Sequence, residues 1–264
     1  MDCKRLIKNL LREDVEDASK LLGLALNKTQ EQLFANLGYE VNSSEFEKFI
    51  SLVAERKMGK PFAYLKGSQG FYEHEFLVSP STLIPRPETE LLIDIVLDKL
   101  SPERKIKLLD LGTGSGIIAI TLSEKCPNWE VSAADQSTEA LSVAKQNAKS
   151  SIDFYCGNWF DPLPQIKFDL IVSNPPYISP SDPHLNDLSF EPIKALVSGN
   201  DGLEDIQLII SKSPQFLNKD GLLLLEHGYD QKDRIIKLLE GSFKNIKAFK
   251  DLNGIDRAII AELR

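Results

Sequence analysis

The sequence predicts an α/β fold: a parallel-rich sheet with helices on both faces, a C-terminal antiparallel hairpin, and a small α-helical bundle in front. Three observations predict it. From Glu88 onward, short apolar runs alternate with stretches of helical period, which is the pattern of repeated strand and helix. The last two apolar runs, near Ile246–Phe249 and Arg257–Glu262, are joined by Asn253-Gly254 with no helix between them. Residues 1–60 show helical spacing and little else.

The bundle comes first. Leu6, Ile7, Leu10 and Leu11 follow helical spacing, and Val15, Ala18, Leu21, Leu22, Ala25 and Leu26 repeat it after Asp14, a predicted N-cap. Thr29 with Gln32 reads as a capping box, and Gly38 as the stop of that helix. Ser44 with Glu47 reads as a second box. Phe46, Phe49, Ile50 and Val53 then share one face up to Gly59 and Pro61. Four short amphipathic helices make a bundle over 1–60. Residues 61–87 are punctuated by Gly67, Gly70, Pro80, Pro85 and Pro87, and Phe76, Leu77 and Val78 alternate between turn signals. This stretch reads as a stiff linker with a short hairpin.

Residues 88–264 form the predicted catalytic domain. A helix over 88–100 precedes a strand at Ile106–Leu111. Then come a helix after Gly116, a strand at Val131–Ala134 and a helix at Thr138–Lys149. Strands are expected at Ile152–Tyr155 and Phe168–Val172, a helix at Glu204–Phe216, a strand at Leu222–Leu225 and a helix at Gln231–Leu239. The terminal hairpin completes the sheet.

Composition narrows the function. The chain has 264 residues and a formal net charge of −8. Residues 1–80 carry 11 basic and 12 acidic side chains, so the acidity belongs to the second part. A protein held to nucleic acid by phosphate neutralisation shows a basic surplus, and this chain does not. No apolar run approaches the roughly 18 residues of a membrane span, and the N-terminus has no signal-peptide pattern. Three cysteines, Cys3, Cys126 and Cys156, form no CxxC, and the three histidines are scattered. Reduced thiols, a cytoplasmic location and no metal site are expected.

Leu108 to Leu111 run into Gly112-Thr113-Gly114-Ser115-Gly116 and then a helix. Strand, glycine turn and helix cradle a nucleotide, because glycines let the backbone approach a ligand and the helix start offers free N–H groups. No Gly-Lys-Ser/Thr follows, so this is not a phosphate loop. The third glycine of a dinucleotide fingerprint would fall at Ile117. Asp110, before the turn, would repel a pyrophosphate but could accept from an amine. Asp135 ends the next strand, where a carboxylate can accept from both ribose hydroxyls or cap the following helix. Together these point to S-adenosylmethionine, over a nicotinamide dinucleotide.

Asn174-Pro175-Pro176-Tyr177 follows a strand. The prolines fix the backbone and remove two donors, leaving the Asn174 side-chain oxygen and the Pro175 carbonyl as neighbouring acceptors. Two acceptors suit a planar NH2 group with two protons to give, and Tyr177 can stack on a flat amide or base. Such a nitrogen shares its lone pair with a π-system and is a poor nucleophile. Gripping both protons orients the remaining lone-pair density at an incoming methyl and favours the pyramidal transition state.

Asp110–Gly116, Asp135 and Asn174–Tyr177 resemble the class I S-adenosylmethionine methyltransferases that act on nitrogen. The chain is similar, more narrowly, to the release-factor glutamine N5-methyltransferases of the HemK/PrmC type. LIPRPETE (Leu83–Glu90), GNWF (Gly157–Phe160), NPPYI (Asn174–Ile178), FEPIKAL (Phe190–Leu196), DGL (Asp201–Leu203), LLLEHG (Leu223–Gly228) and DLNGIDR (Asp251–Arg257) carry that resemblance in order along the chain. It implies a Rossmann-like class I sheet and methyl transfer to the glutamine of Gly-Gly-Gln in class I peptide chain release factors. By resemblance, Gly112, Thr113, Gly114, Ser115 and Gly116 hold the methionine part of the cofactor and Asp135 the ribose. Trp159 packs at the adenine, with Asn174 beside the cofactor. Asn174, Pro175, Pro176 and Tyr177 grip the substrate glutamine, and the N-terminal bundle contacts the release factor. Asn158 departs from the family, which often carries an acidic residue there.

DNA adenine N6-methyltransferases carry similar four-residue motifs, so an N6-adenine nucleic-acid methyltransferase is the rival reading. It needs a positive groove and a way to extrude the base. The net charge of −7 over residues 81–264 opposes it. A non-catalytic binding protein is opposed by the intact Asn174 and glycine turn. Arg86, Glu88 and Glu90 read either as a rim over the site or as helix N-terminal charge. Glu226-His227 sits at a strand end on the active-site edge and reads as a structural pair rather than a catalytic one.

Overall fold

A computed structural model describes residues 2–12 and 17–264. The chain divides into two compact units between Gly67 and Ser68. The predicted N-cap Asp14, and Val15, lie outside the described residues, as do the side chains of Leu10 and Leu11.

The first unit is helical: α1 (Cys3–Arg12), α2 (Ala18–Leu26), α3 (Gln30–Ala35), α4 (Ser43–Lys57) and α5 (Phe62–Lys66). Its core joins Leu6 of α1, Leu21, Leu22, Ala25 and Leu26 of α2, Leu33 of α3, and Phe49 and Val53 of α4. Apolar side chains three and four apart share a helix face, which is why this spacing closes a core. Thr29 and Gln32 form the capping box at the start of α3. The second box differs from expectation. Asn42 and Glu45 make it, with each side chain bonded to the other's backbone N–H. Two overlapping boxes are written in the sequence, and the helix begins at the earlier one. Gly38 does not stop α3 either: that helix ends at Ala35, and the turn beyond it uses ordinary negative φ.

The second unit opens with a hairpin, β1 (Ser68–Phe71) and β2 (His74–Leu77), followed by α6 (Glu90–Lys99). The remaining elements are β3 (Lys107–Leu111), α7 (Ile117–Lys125), β4 (Glu130–Asp135), α8 (Thr138–Asn147), β5 (Asp153–Cys156), β6 (Phe168–Ser173), α9 (Glu204–Lys212), β7 (Leu217–Glu226), α10 (Lys232–Leu239), β8 (Phe243–Lys250) and β9 (Asp256–Leu263). The sheet order is β5-β4-β3-β6-β7-β9-β8. The first five strands in that order run parallel, and β9 is antiparallel to both β7 and β8. The helix α9 is shorter than its periodicity suggests, because Pro214 in the turn that follows has no N–H to continue it.

Side chains alternate across the sheet, so each strand feeds two cores. Leu108, Leu170, Val172 and Leu224 meet α6 and α7 on one face. Leu109, Leu111, Ile171, Leu223 and Leu225 meet α9 and α10 on the other. Both faces are covered, and the central strands therefore read as continuous apolar runs. Asn147, at the end of α8, ties the hairpin down. Its oxygen accepts from Leu77 N at 2.8 Å, and its nitrogen donates to the carbonyls of Leu77 at 3.0 Å and Ser115 at 2.9 Å.

Candidate active site

The chain runs from β3 outward to β4 and β5, then crosses to the other side of β3 for β6 and β7. That reversal leaves a crevice beyond the carboxyl ends of β3 and β6, the place where open α/β sheets bind ligands. Ser173 Oγ donates to Leu111 O at 2.7 Å and fastens the two strand ends together. A cleft of about 470 Å³ opens there.

The glycine turn forms one wall. Gly112 N and Thr113 N both donate to Ala134 O, which folds the turn over the end of β4. Gly112, Gly114 and Gly116 all have positive φ, a region that side chains disfavour. A Cβ on Gly114 would meet nothing within 4 Å, while one on Gly112 would come 3.4 Å from the Trp159 ring. Both would intrude into the cleft. Gly116 does not line it. A Cβ there would approach Ile120 Cδ1 of α7 itself to 2.7 Å and Ala144 Cβ of α8 to 3.3 Å, so this glycine lets the start of α7 lie close to α8.

Asp110 lies beneath the turn and is fully buried. Its Oδ2 accepts from Thr113 Oγ1 at 2.6 Å and from Ala119 N at 3.1 Å. Oδ1 has no partner in the protein. Burial pushes this carboxyl up to about 7, against the pull of Thr113 and Ala119. Asp110 thus braces the turn from below and is not part of the cleft wall, where acceptance from an amine was expected. Asp135 does line the wall. Its oxygens accept from Gly114 N and Ser137 N, both at 2.9 Å, which leaves a lone pair on each for a ligand. Burial raises its pKa, while the backbone donors Ser137, Gly114 and Gln136 pull it down. Trp159 stands opposite Gly112 with positive φ, and its indole N–H donates to Asp205 of α9 at 3.0 Å.

Thr113, Ser115, Asn158, Asn174 and Pro176 also line the cleft, and Pro175 and Tyr177 do not. Pro175 is buried. Tyr177 packs its ring on the α9/α10 core, and its hydroxyl donates to Glu226 Oε1 at 3.2 Å. Stacking on a substrate group was the expectation; the hydroxyl anchor turns this ring toward the core instead. Asn174 Nδ2 donates to Thr89 Oγ1 at 3.1 Å. The nitrogen is thereby engaged, and Oδ1 is the free end of the amide. Gln231 Nε2 donates to Tyr177 O at 2.9 Å, holding the motif from below.

Two segments rim the cleft: Pro80–Arg86 and Pro192–Ala195. Arg86 pairs with Glu191, whose other oxygen accepts from Ile84 N at 2.9 Å. This buried carboxylate staples the two rims. Of the three charged residues expected near the rim, Arg86 alone lines the cleft. Glu90 accepts from Tyr72 N at 2.7 Å and supports the hairpin turn. Thr89, Glu191 and Gln231 were not singled out from the sequence as site residues. Thr89 and Glu191 lie within the quoted LIPRPETE and FEPIKAL segments, which was the one signal available.

The residues present fit a zwitterionic nucleoside. A glycine cradle that a Cβ at Gly112 or Gly114 would obstruct and a carboxylate at Asp135 with a lone pair free on each oxygen are complementary to an amino-acid moiety and a ribose. A family profile described as "Methyltransferase small domain" matches residues 88–188, and one described as "PrmC N-terminal domain" matches residues 3–67. A Coxiella burnetii protein named release factor glutamine methyltransferase is 40% identical over 250 residues, covering 93% of this chain and 90% of its own length.

The chain belongs to the release factor glutamine methyltransferase family.

A family member from Pseudomonas aeruginosa is also 40% identical, over 93% of this chain and 91% of its own length. Among solved structures, a methyltransferase from Pyrococcus furiosus superposes with a TM-score of 0.56 at 19% identity, covering 79% of this chain and 96% of that one. At that identity it speaks for the fold alone, a class I methyltransferase sheet. The cofactor of this chain is S-adenosylmethionine. Among the described residues no helix is long and apolar enough to cross a membrane, and no cluster of side chains could hold a metal ion.

Proposed function

We propose that the chain transfers a methyl group to the side-chain amide nitrogen, N5, of the glutamine in the Gly-Gly-Gln tripeptide of class I peptide chain release factors. One observation carries the reading beyond family membership: Asn174 lines the same cleft as the glycine turn and has its nitrogen on Thr89, which leaves its side-chain oxygen as the acceptor. An acceptor there can take one proton of a primary amide, and the Pro175 carbonyl is the second acceptor in the proposal.

Bound S-adenosylmethionine supplies an electrophilic methyl on a sulfonium sulfur. The chain's own part is positioning. Gly112, Thr113, Gly114 and Ser115 hold the methionine portion, Asp135 takes the ribose hydroxyls, and Trp159 packs at the adenine. Gly116 admits α7 at close range and acts through the shape of the turn. Asn174 and Pro175 hold both amide protons and orient the remaining lone-pair density at the methyl. This is orientation together with charge stabilisation built into the site beforehand. Pro176 gives the acceptor loop its stiffness, and Tyr177 anchors it. No strong base is required, because the methylated amide nitrogen is acidic and loses its proton to water. The helical unit is the proposed recognition element for the release factor, and the cytoplasm, where translation ends, is the proposed location.

The test is mass spectrometry of unmethylated release factor incubated with the protein and S-adenosylmethionine. One added methyl on the Gly-Gly-Gln glutamine is expected. An unmodified factor, with cofactor binding intact, would refute the substrate; methyl appearing on adenine in DNA instead would move the reading to N6 chemistry.

A further inference from the structure

A glutamine side chain is short. Its amide nitrogen is four bonds from its own Cα, a reach of about 5 Å when fully extended. For that nitrogen to meet Asn174, the substrate main chain has to enter the mouth of the cleft. The residues on either side of the glutamine come in with it. The mouth lies between the two rims, Pro80–Arg86 and Pro192–Ala195. On the second rim Ile193 lines the cleft and is also 59% exposed, which places this large apolar side chain at the opening.

The second rim is a strap held at both ends. Ala195 N donates to Pro192 O at 2.8 Å, and Leu196 N and Val197 N donate to Ile193 O at 3.1 and 2.9 Å, so the strap is one tight turn. Beyond it, Ile178 N donates to Leu196 O at 2.9 Å and Ser198 N to Ile178 O at 3.1 Å. That end is thereby fixed to the residue after Tyr177. The other end is fixed by Glu191, whose side chain is 3% exposed. One of its oxygens accepts from Ile84 N at 2.9 Å, and the other pairs with Arg86. Both partners are donors, and both belong to the first rim. Two donors require two acceptors, and a carboxylate supplies them. Bonds to a charged acceptor are about twice as strong as neutral ones, so this staple holds the rims at one spacing.

We propose that Glu191 is a specificity-determining positioning residue: by tying the rims together it holds Ile193 at the mouth, so that a glutamine preceded by glycine is admitted and one preceded by a residue with a side chain is turned away. The inference rests on the reading that the substrate is the Gly-Gly-Gln glutamine. A glycine has no Cβ, so its backbone passes close to Ile193. An alanine in its place adds a methyl group that has to displace the strap, and the strap is tied. Selection of this kind works by obstructing the wrong substrate more than by gripping the right one. A glutamine at 191 has one accepting oxygen and one donating NH2. With its oxygen on Ile84 N, its NH2 would face the Arg86 guanidinium, donor against donor, and the staple would open.

The experiment uses the full chain as wild type, E191Q, R86M and I193A. Each is given two substrates: unmethylated release factor, and the same factor with alanine in place of the glycine immediately before the glutamine. The quantity read is the ratio of kcat/KM on the two factors, with the cofactor dissociation constant measured alongside. Any effect of the alanine on the factor itself is common to all four enzymes and cancels when their ratios are compared. The wild type should favour the native factor by about tenfold or more, the usual effect of one added methyl in a close-fitting site. E191Q and I193A should reduce that preference to about threefold or less, with the cofactor constant within about threefold of wild type. R86M, which breaks one arm of the staple at a side chain 33% exposed, should fall between. A preference unchanged in E191Q or in I193A would overturn the inference, as would a wild type that methylates both factors alike. Equal losses on both factors would mean that the staple serves only the fold or the cofactor, and would overturn it too. If E191Q unfolds, R86M decides the role of the staple, and an unchanged preference there overturns it. No methyl on the native factor from the wild type is the failure of the substrate reading and takes the inference with it; methylation of that factor with an unchanged ratio in the variants overturns the inference alone.

Discussion

Asn174 Nδ2 lies on Thr89 and Asp135 has two backbone N–H groups on its oxygens, so the two side chains are held for different tasks. On the proposed mechanism, Asn174→Ala removes an acceptor whose contact tightens as the amide nitrogen becomes pyramidal. The expected loss in kcat is about 10²-fold or more, with the cofactor dissociation constant little changed. Asp135→Ala should instead weaken cofactor binding about tenfold or more, roughly 1.4 kcal/mol, read by calorimetric titration. A constant unchanged by that substitution would remove Asp135 from the ribose. Asp110 and Glu226 are both pushed up to about 7 by burial. The folded chain thus keeps protons that the unfolded chain releases near pH 4. Their stabilising contribution is complete below the unfolded values and lost as pH rises through about 7. The melting temperature of the cofactor-free protein should therefore fall from about pH 6 to about pH 8, and Asp110→Asn should flatten that fall.

At the scale of elements, the turn between β3 and α7 shows why three glycines stand so close together. Gly112 and Gly114 keep the cleft open, whereas Gly116 is required by the packing of α7. Gly116→Ala would combine a strained φ with a 2.7 Å approach to Ile120, at a cost of about 1–3 kcal/mol. Urea unfolding should register that loss even with the cofactor absent; unaltered stability would mean that the Ile120 side chain turns aside freely. The sequence showed that glycines were needed here but not that one of them serves a helix. Helix starts were legible to a similar degree. Thr29 with Gln32 was readable as a box, while Asn42 with Glu45 competed with Ser44 and Glu47 two residues later. Local chemistry permits both, and the burial of Phe49 and Val53 goes with the register observed.

For the molecule as a whole, the division at Gly67 separates a helical unit from the unit that contains the entire cleft. Every residue lining the cleft lies between Pro80 and Ala195. A fragment spanning residues 68–264 should therefore bind S-adenosylmethionine within about threefold of the full chain. Its KM for release factor should rise about tenfold or more, about 1.4 kcal/mol, if the helical unit recognises that protein. An unchanged KM would place recognition on the catalytic unit alone.

The sequence by itself determined the alternation of strands and helices, the glycine turn and the acceptor-rich Asn174–Tyr177 segment. Each is a local matter: side-chain period, allowed φ, and the missing N–H of proline act over a few consecutive residues. Only the tertiary structure decided what stands beneath those motifs. Thr89 meets Asn174 across 85 residues, Glu226 meets Tyr177 across 49, and Glu191 meets Ile84 across 107. Contacts of that reach leave no spacing in the sequence. They exist because β3, β6 and β7 lie side by side and end on the same edge, so that short segments far apart in the chain share one small buried space. There, the partner of each polar atom is set by the shape of the whole sheet.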